Sequence, residues 1–162
     1  WLRTGDRASI DEQGFVRIVG RIKDILVLAN GEKVPPPDIE AAIARDPLFE
    51  QVMVVGEGRS YLAAIVVVEP TLWKELCEAK GWQEDDITRA EVVTALLARV
   101  KQQMSEFPGY ARIRKLYATT EEWTVESGLM TPTLKIKRPQ VMAHYAREID
   151  ALYEGHTLRS AS

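Results

Sequence analysis

The chain has 162 residues, of which 46% are apolar and 28% are charged, and its formal net charge is −3 at pH 7. A length of this order fits one folded domain, and the apolar fraction excludes a disordered chain. The longest apolar run, residues 62–68, is too short to cross a bilayer. The slight acidic excess argues against a nucleic-acid partner, because phosphate backbones are usually met by a basic surface.

The cysteine content and the first residues bear on cellular location. Cys77 is the single cysteine, which excludes an internal disulfide and a cysteine-based zinc cluster and fits a reducing cytosol. Because the chain begins with Trp1 and its first residues lack an apolar h-region, we expect no signal peptide here and a segment cut from a longer protein. We expect that protein to be cytoplasmic, with at most peripheral contact at the inner membrane surface.

The first third of the chain alternates short strands with turns. Two strands are predicted within residues 7–19, joined by a turn at 11–14 that ends on a glycine. A short strand at 25–28 then leads to a turn at Asn30-Gly31. Three prolines at 35–37 fit the first turn of a helix over 38–45.

The middle of the chain carries the clearest strands. Residues 51–56 and 62–69 are rich in β-branched side chains, and the loop between them contains two glycines. Because their apolar runs are continuous, we expect both strands to be covered on both faces. After them we predict helices over 70–79, 88–107 and 139–153 and a third strand over 113–119, with Thr88 and Glu91 as a capping box.

This order of elements predicts an α+β fold, with a small three-stranded sheet packed by helices and preceded by a short N-terminal β-hairpin region. It has neither a regular βαβ repeat nor a glycine-rich phosphate loop. Cys77 lies on a predicted apolar helix, and His144 and His156 lie far from any partner for a triad or a metal site. We therefore interpret Cys77 as a small buried side chain and both histidines as structural.

Three polar clusters could carry chemistry. Residues 4–6 (Thr-Gly-Asp) place a carboxylate that could accept two hydrogen bonds from a ribose diol. Residues 20–24 (Gly-Arg-Ile-Lys-Asp) offer the donor fork of Arg21 to phosphate or ribose oxygens. Residues 131–138 form a loop with three cations, one of which could neutralise a phosphate-bearing transition state. From these residues alone, a turn cap, a charged turn and a solvated basic loop remain alternatives.

The order and spacing of the clusters resemble one family, the acyl-adenylate-forming or AMP-dependent synthetases and ligases. The resemblance covers essentially the whole chain and corresponds to the C-terminal portion of such enzymes. It is closest to the long-chain fatty acyl-CoA synthetase branch. The segments that carry it are 4–6, 20–24, Asn30-Gly31-Glu32-Lys33-Val34 with Ile39-Glu40, the run Leu-Met-Thr-Pro-Thr-Leu-Lys-Ile-Lys-Arg at 129–138, and Ile-Asp-Ala-Leu-Tyr at 149–153.

The resemblance implies a ligase reaction in two halves, in which ATP, a fatty acid and CoA give acyl-CoA, AMP and diphosphate. The full-length enzyme would require ATP and Mg²⁺, with CoA as co-substrate, and we expect none of them bound to this fragment. The C-terminal domain of the family rotates between the two half-reactions. The implied partner of this chain is therefore its own N-terminal domain.

The resemblance also assigns roles to residues. Lys135 matches the lysine that stabilises charge during adenylation, with Lys137 as the alternative assignment, and Leu134 stands where the family commonly has glycine. The other matches are Asp6 and Arg21 for nucleotide binding, Lys23 and Asp24 for the hinge, and Asn30, Gly31 and Glu32 for the loop that enters the site during thioester formation. Glu40 is expected to cap or brace the helix after the prolines, without a direct catalytic role.

The resemblance divides the chain into three parts. Residues 1–23 would be the end of the large N-terminal domain and hinge segment, 24–155 the mobile C-terminal domain, and 156–162 a disordered tail. The phosphate loop, the acyl pocket and most of the adenine site of the family have no counterpart here, so we expect the fragment alone to be inactive.

Two alternatives remain. The chain could come from an adenylation enzyme that loads another carboxylic acid or a carrier protein. It could also be a non-catalytic interaction module with the same fold.

Overall fold

The computed structural model describes residues 6–10, 12–14, 16–21 and 25–154, with the backbone alone for the first two strands. The strands are β1 (Asp6–Ile10), β2 (Val16–Arg21), β3 (Leu26–Val27), β4 (Lys33–Val34), β5 (Phe49–Val55), β6 (Leu62–Val68) and β7 (Ile113–Thr119). The helices are α1 (Pro36–Ile43), α2 (Pro70–Lys80), α3 (Ala90–Gln103), α4 (Arg138–His144) and α5 (Ala146–Leu152), with short 3₁₀ helices at Glu84–Thr88 and Gly109–Ala111.

The N-terminal strand pair is antiparallel and turns at residues 12–14, where Gly14 has a φ of +83°. Its register sets Asp6 opposite Arg21 at the open end of the hairpin. The predicted hairpin is therefore confirmed. A second small pair joins β3 to β4, of which only the first strand was predicted.

The central sheet has the order β5-β6-β7, with β5 and β6 antiparallel and β6 and β7 parallel. A parallel pair requires a long crossover, which α2 and α3 supply. Every residue of β6 is buried, as expected for a central strand covered on both faces. This confirms the α+β class with a three-stranded sheet.

Two apolar cores lie on opposite faces of this sheet, because successive side chains of β6 alternate between them. One core joins the sheet to α1, α2 and α3, with Val66, Trp73 and Leu96 among its members. The other joins the sheet to the segment after β7, with Ile65 and Trp123 among its members. Among the described residues, no helix is long and apolar enough to span a membrane.

Two helix predictions need correction. The helix predicted from Thr88 begins at Ala90, and the residues before it form a 3₁₀ turn whose capping box is Gln83 with Asp86, so the Thr88–Glu91 box was wrong. The single closing helix predicted over 139–153 is two helices, because Tyr145 leaves helical geometry with its side chain buried in the second core.

Candidate functional site

The cationic loop after Met130 is a tight hairpin. Met130 and Ile136 form an antiparallel bridge, and the Thr131 N–H donates to the Lys135 carbonyl at 2.8 Å. The Leu134 N–H donates to the Thr131 carbonyl at 2.8 Å, which closes a turn with Pro132 in its second position. In a three-residue hairpin loop of this kind the last loop residue takes the left-handed conformation. That residue is Leu134, with a φ of +61°.

Lys135 directly follows this left-handed residue, and its side chain is exposed. Lys137 is also exposed, but it lies at the base of the hairpin, where its N–H donates to the Leu129 carbonyl at 2.9 Å and α4 begins. Within the described part of the chain, neither ammonium group has a hydrogen-bond or ion-pair partner. Both are therefore available to a ligand, and Lys135 lies closer to the tip.

One side of the hairpin is anchored to β5 through an amide. The Gln51 side chain donates to the Trp123 carbonyl at 2.9 Å and accepts from the Trp123 N–H at 2.7 Å. The same amide lies 3.0 Å from the Met130 sulfur. Gln51 was not predicted as a site residue, because its only signal in the sequence is a polar side chain next to an apolar strand run.

The other side is anchored by an ion pair. Glu40 on α1 accepts from the Val54 N–H at 2.9 Å and pairs with Arg138, the first residue of α4. Arg138 also donates to the Val54 carbonyl at 3.3 Å. The two side chains of this ion pair are mostly buried, with exposed fractions of 16% for Glu40 and 27% for Arg138. The pair therefore connects α1, the edge strand β5 and the base of the lysine hairpin, which gives Glu40 the bracing role expected of it.

The turn at residues 30–32 forms the second candidate loop. The Glu32 N–H donates to the Asn30 side-chain oxygen at 3.0 Å, and the Gly31 N–H donates to the Leu28 carbonyl at 2.9 Å. Gly31 has a φ of +86°, and a Cβ built on it would meet no atom within 4 Å. The turn thus presents an open stretch of backbone that is bare of side chain at Gly31.

The loop between β5 and β6 supports this turn. The Val27 N–H donates to the Glu57 carboxylate at 2.8 Å, and the Ala29 N–H donates to the Arg59 carbonyl at 2.9 Å. Arg59 continues the connection, since its guanidinium lies 3.0 Å from Asp150 and 4.7 Å from the centre of the Tyr153 ring. Arg59 was not predicted as a site residue, because in the sequence it is only one charged residue in a glycine-containing loop.

The two candidate loops are anchored in different cores. Leu28 and Val34, which flank the turn at 30–32, belong to the core shared with α1, α2 and α3. Met130 and Ile136, which flank the tip of the lysine hairpin, belong to or pack against the other core. The sheet therefore separates the two anchors, one on each of its faces.

A family model described as the AMP-binding enzyme C-terminal domain matches residues 23–157. The chain belongs to this family.

Curated relatives and a solved structure agree with that membership. The long-chain-fatty-acid–CoA ligase FadD15 of Mycobacterium tuberculosis is 33% identical over 158 residues, covering 94% of this chain and 26% of the relative. The chloroplastic long-chain-fatty-acid–[acyl-carrier-protein] ligase AEE15 of Arabidopsis thaliana is 31% identical over 163 residues, covering 94% of this chain and 21% of the relative. A solved structure of the adenylation domain of a carboxylic acid reductase from Segniliparus rugosus contains AMP and a co-purified carboxylic acid. This structure is 30% identical to the chain with a TM-score of 0.78, and the match covers 95% of this chain and 23% of that chain. The chain thus spans about a quarter of their length.

Several expected site residues of this family member lie beyond what the structure describes. The side chains of Asp6 and Arg21 are outside the described part, although the backbone sets the two residues opposite each other. Lys23 and Asp24 lie outside it altogether, as does His156. The nucleotide-binding and hinge assignments, and the division of the chain into domains, therefore stay predictions.

The remaining candidates have structural surroundings. Cys77 is 2% exposed, and burial raises the pKa of its thiol, which confirms a small buried side chain. His144 is partly exposed, with its Nε2 3.2 Å from the Glu121 carboxylate. The described residues hold no group of three or more His, Cys, Asp or Glu side chains that could bind a metal ion.

Proposed function

We propose that the chain is the C-terminal domain of an AMP-forming ligase that joins long-chain fatty acids to CoA. The observation that carries the proposal is Lys135, an exposed cation without a partner in the described residues, held at the tip of a braced hairpin. The left-handed residue directly before it occupies the position where the family commonly has glycine. This register favours Lys135 over Lys137 as the adenylation lysine.

In the first half-reaction the fatty carboxylate attacks the α-phosphate of ATP, and diphosphate leaves. The Lys135 ammonium offsets negative charge that gathers on the carboxylate and phosphate oxygens. We further propose that Asp6 and Arg21 hold the nucleotide, since the hairpin register sets them opposite each other. ATP and Mg²⁺ would be bound mainly by the larger N-terminal domain of the full-length parent.

In the second half-reaction the CoA thiol attacks the acyl carbon, and AMP leaves. We propose that the turn at 30–32 then replaces the lysine hairpin at the site, with Gly31 leaving room for the pantetheine arm. The separate anchoring of the two loops on opposite faces of the sheet supports this exchange, because one rotation about Lys23–Asp24 would withdraw one loop and present the other. The lysine is needed only in the first half.

A carrier protein is the second candidate for the acyl acceptor. It is favoured by the similarity to an acyl-carrier-protein ligase and to a carboxylic acid reductase domain. Incubating the full-length parent with ATP, a long-chain fatty acid and either CoA or a phosphopantetheinylated carrier protein distinguishes the two. We expect thioester on CoA, in a cytoplasmic enzyme with at most peripheral membrane contact.

Lys135→Ala in the full-length parent tests the central assignment. We expect the rate of adenylation to fall roughly 100-fold to 1,000-fold, as when one preorganised charge-stabilising group is removed. The fatty-acid-dependent exchange of diphosphate into ATP measures this rate. Thioester formation from supplied acyl-adenylate should stay near its original rate.

Lys137→Ala is the matched control, since it removes a second exposed cation from the same hairpin. We expect it to leave both half-reactions largely intact. Equal loss of both halves in Lys135→Ala, or a larger adenylation loss in Lys137→Ala, would refute the assignment. The 162-residue chain by itself should form no acyl-CoA.

A further inference from the structure

Leu134 carries two unfavourable features at once. Its φ of +61° is left-handed, which costs a residue with a Cβ free energy that glycine does not pay. Its side chain is also 74% exposed, against 37–44% for the other large apolar side chains that are exposed in the described residues. Strain of this kind usually persists where function requires it.

Hydrogen bonds on both sides of Leu134 hold the hairpin in this conformation. The Thr131 hydroxyl accepts from the Lys135 N–H at 3.0 Å and lies 3.0 Å from the Thr133 hydroxyl, in addition to the two backbone bonds that close the turn. The loop therefore sets the left-handed backbone conformation, which glycine or asparagine would adopt more readily than leucine. The presence of leucine is not explained by the backbone conformation. The leucine gives a stiff loop an outward-facing apolar side chain.

The surface beside Leu134 is a groove of mixed character. This open groove has a volume of about 300 Å³, and its walls include apolar side chains of α1 and the hairpin together with the polar side chains of Glu40, Glu50 and Gln51. Leu134 thus stands at the border of a partly apolar depression on the body of the domain, one residue from Lys135.

We propose that Leu134 is a positioning residue that becomes buried against the large N-terminal domain of the parent when the lysine hairpin docks for adenylation. The inference rests on the proposed function. The occupant is the remaining three-quarters of the enzyme, which the relatives possess and this chain does not span. It is not the fatty tail, because Lys135 meets the carboxylate head and its neighbour on the hairpin therefore lies beside the head.

Two substitutions in the full-length parent separate backbone from side chain. Leu134→Asn keeps a residue that tolerates left-handed geometry but removes the apolar contact. Leu134→Met keeps an apolar side chain of similar volume. We expect adenylation to fall about 10-fold or more in Leu134→Asn and to stay within about threefold in Leu134→Met, as loss of one buried leucine contact predicts. Thioester formation from supplied acyl-adenylate should be unchanged in both.

The control is Val125→Asn, which changes another exposed apolar side chain, 41% exposed, outside the hairpin. Leu134→Asn in the isolated chain should unfold at the same or a higher temperature, which excludes a folding defect.

The loss of adenylation activity in Leu134→Asn should be equal for a short and a long fatty acid. A loss confined to long acids would assign Leu134 to the acyl tail and overturn the proposal, as would full adenylation in Leu134→Asn. In the same assay, unchanged adenylation in Lys135→Ala would refute the proposed function. If adenylation falls in Lys135→Ala but not in Leu134→Asn, only the inference about Leu134 is refuted.

Discussion

Two residues in the candidate loops adopt the same unusual backbone in different ways. Gly31 and Leu134 both have a positive φ, at +86° and +61°. At Gly31 the residue type removes the steric cost, and the turn offers bare backbone to its surroundings. At Leu134 the cost remains, and the turn offers an apolar side chain. The chemistry of the two loop tips therefore differs although their geometry is similar.

Tyr145 is one of the buried tyrosines whose pKa is raised by burial, together with Tyr153. Its ring is 3% exposed, its hydroxyl donates to the Glu121 carboxylate at 3.0 Å, and it accepts from the Trp123 indole N–H at 3.1 Å. Burial foremost raises the pKa of Tyr145 to about 12, and the neighbouring Glu121 carboxylate adds to the increase. The neutral phenol is therefore the form that the folded state requires.

The raised pKa predicts a loss of stability in alkali. Below pH ~10, the ordinary tyrosine value, folded and unfolded chains both keep the proton and the contribution of Tyr145 is complete. As the pH rises from there to about 12, the unfolded chain loses the proton first, so the free energy of unfolding falls. Urea unfolding of Tyr145→Phe should show a smaller fall over this interval.

The control for this experiment is Tyr110→Phe, which removes a hydroxyl from a tyrosine that is 43% exposed. At neutral pH, Tyr145→Phe should cost about 1–2 kcal/mol, because Glu121 and Trp123 each lose a hydrogen-bond partner. An alkaline slope identical to that of the unchanged chain would contradict the role given to Tyr145.

At the scale of elements, β5 illustrates how an edge strand is protected. It is an edge strand of the three-stranded sheet, so its outer backbone N–H and C=O groups would be open to pairing with another chain. Glu40 and Arg138 bind the N–H and the carbonyl of Val54 on this side. The same ion pair fixes the start of α4, so protection of the edge and support of the lysine hairpin use the same two side chains.

Glu40→Gln is expected to destabilise the chain by about 1–3 kcal/mol, because a half-buried arginine loses its charged partner. The measurement is the free energy of unfolding in urea. Glu78→Gln, at an exposed position on α2, removes the same charge without a buried partner and should change stability by less than about 0.5 kcal/mol. Similar values for the two variants would show that the ion pair does not brace the hairpin.

At the scale of the whole molecule, the sheet is a partition between two cores. Leu62 and Ile65 lie on the same strand, both fully buried, and face opposite cores. The turn at 30–32 depends on the core of Leu62, and the lysine hairpin depends on the core of Ile65. Both cores are therefore needed for a domain that presents two different surfaces.

Leu62→Ala and Ile65→Ala should each reduce the free energy of unfolding by about 2–5 kcal/mol, since each leaves a cavity in a packed core. Val125→Ala, at a side chain 41% exposed, should have a much smaller effect. Denaturant unfolding followed by tryptophan fluorescence measures all three, with Trp73 in one core and Trp123 in the other. A small cost for either buried variant would mean that one face of the sheet is not a true core.

Local sequence patterns predicted much of the fold. The strand at 113–119 coincides with β7, and the β-branched runs correctly placed β5 and β6 between two covered faces. Helix α2 ends before Gly81, as its glycine predicts. These predictions were correct because hydrophobic periodicity, glycine and proline influence the backbone conformation within a few residues of the chain.

The sequence by itself determined most of the elements, the family resemblance and the candidate loops, because each depends on local residue chemistry. Only the tertiary structure decided that β4 pairs with β3, that Tyr145 divides the last helix, and that Gln51, Glu40 and Arg138 hold the lysine hairpin. These contacts join residues far apart in the chain, and no local pattern encodes the partner of a polar side chain. The two candidate loops lie on separate cores because the residues that flank each loop pack on different faces of the sheet, and such long-range packing is absent from any local pattern.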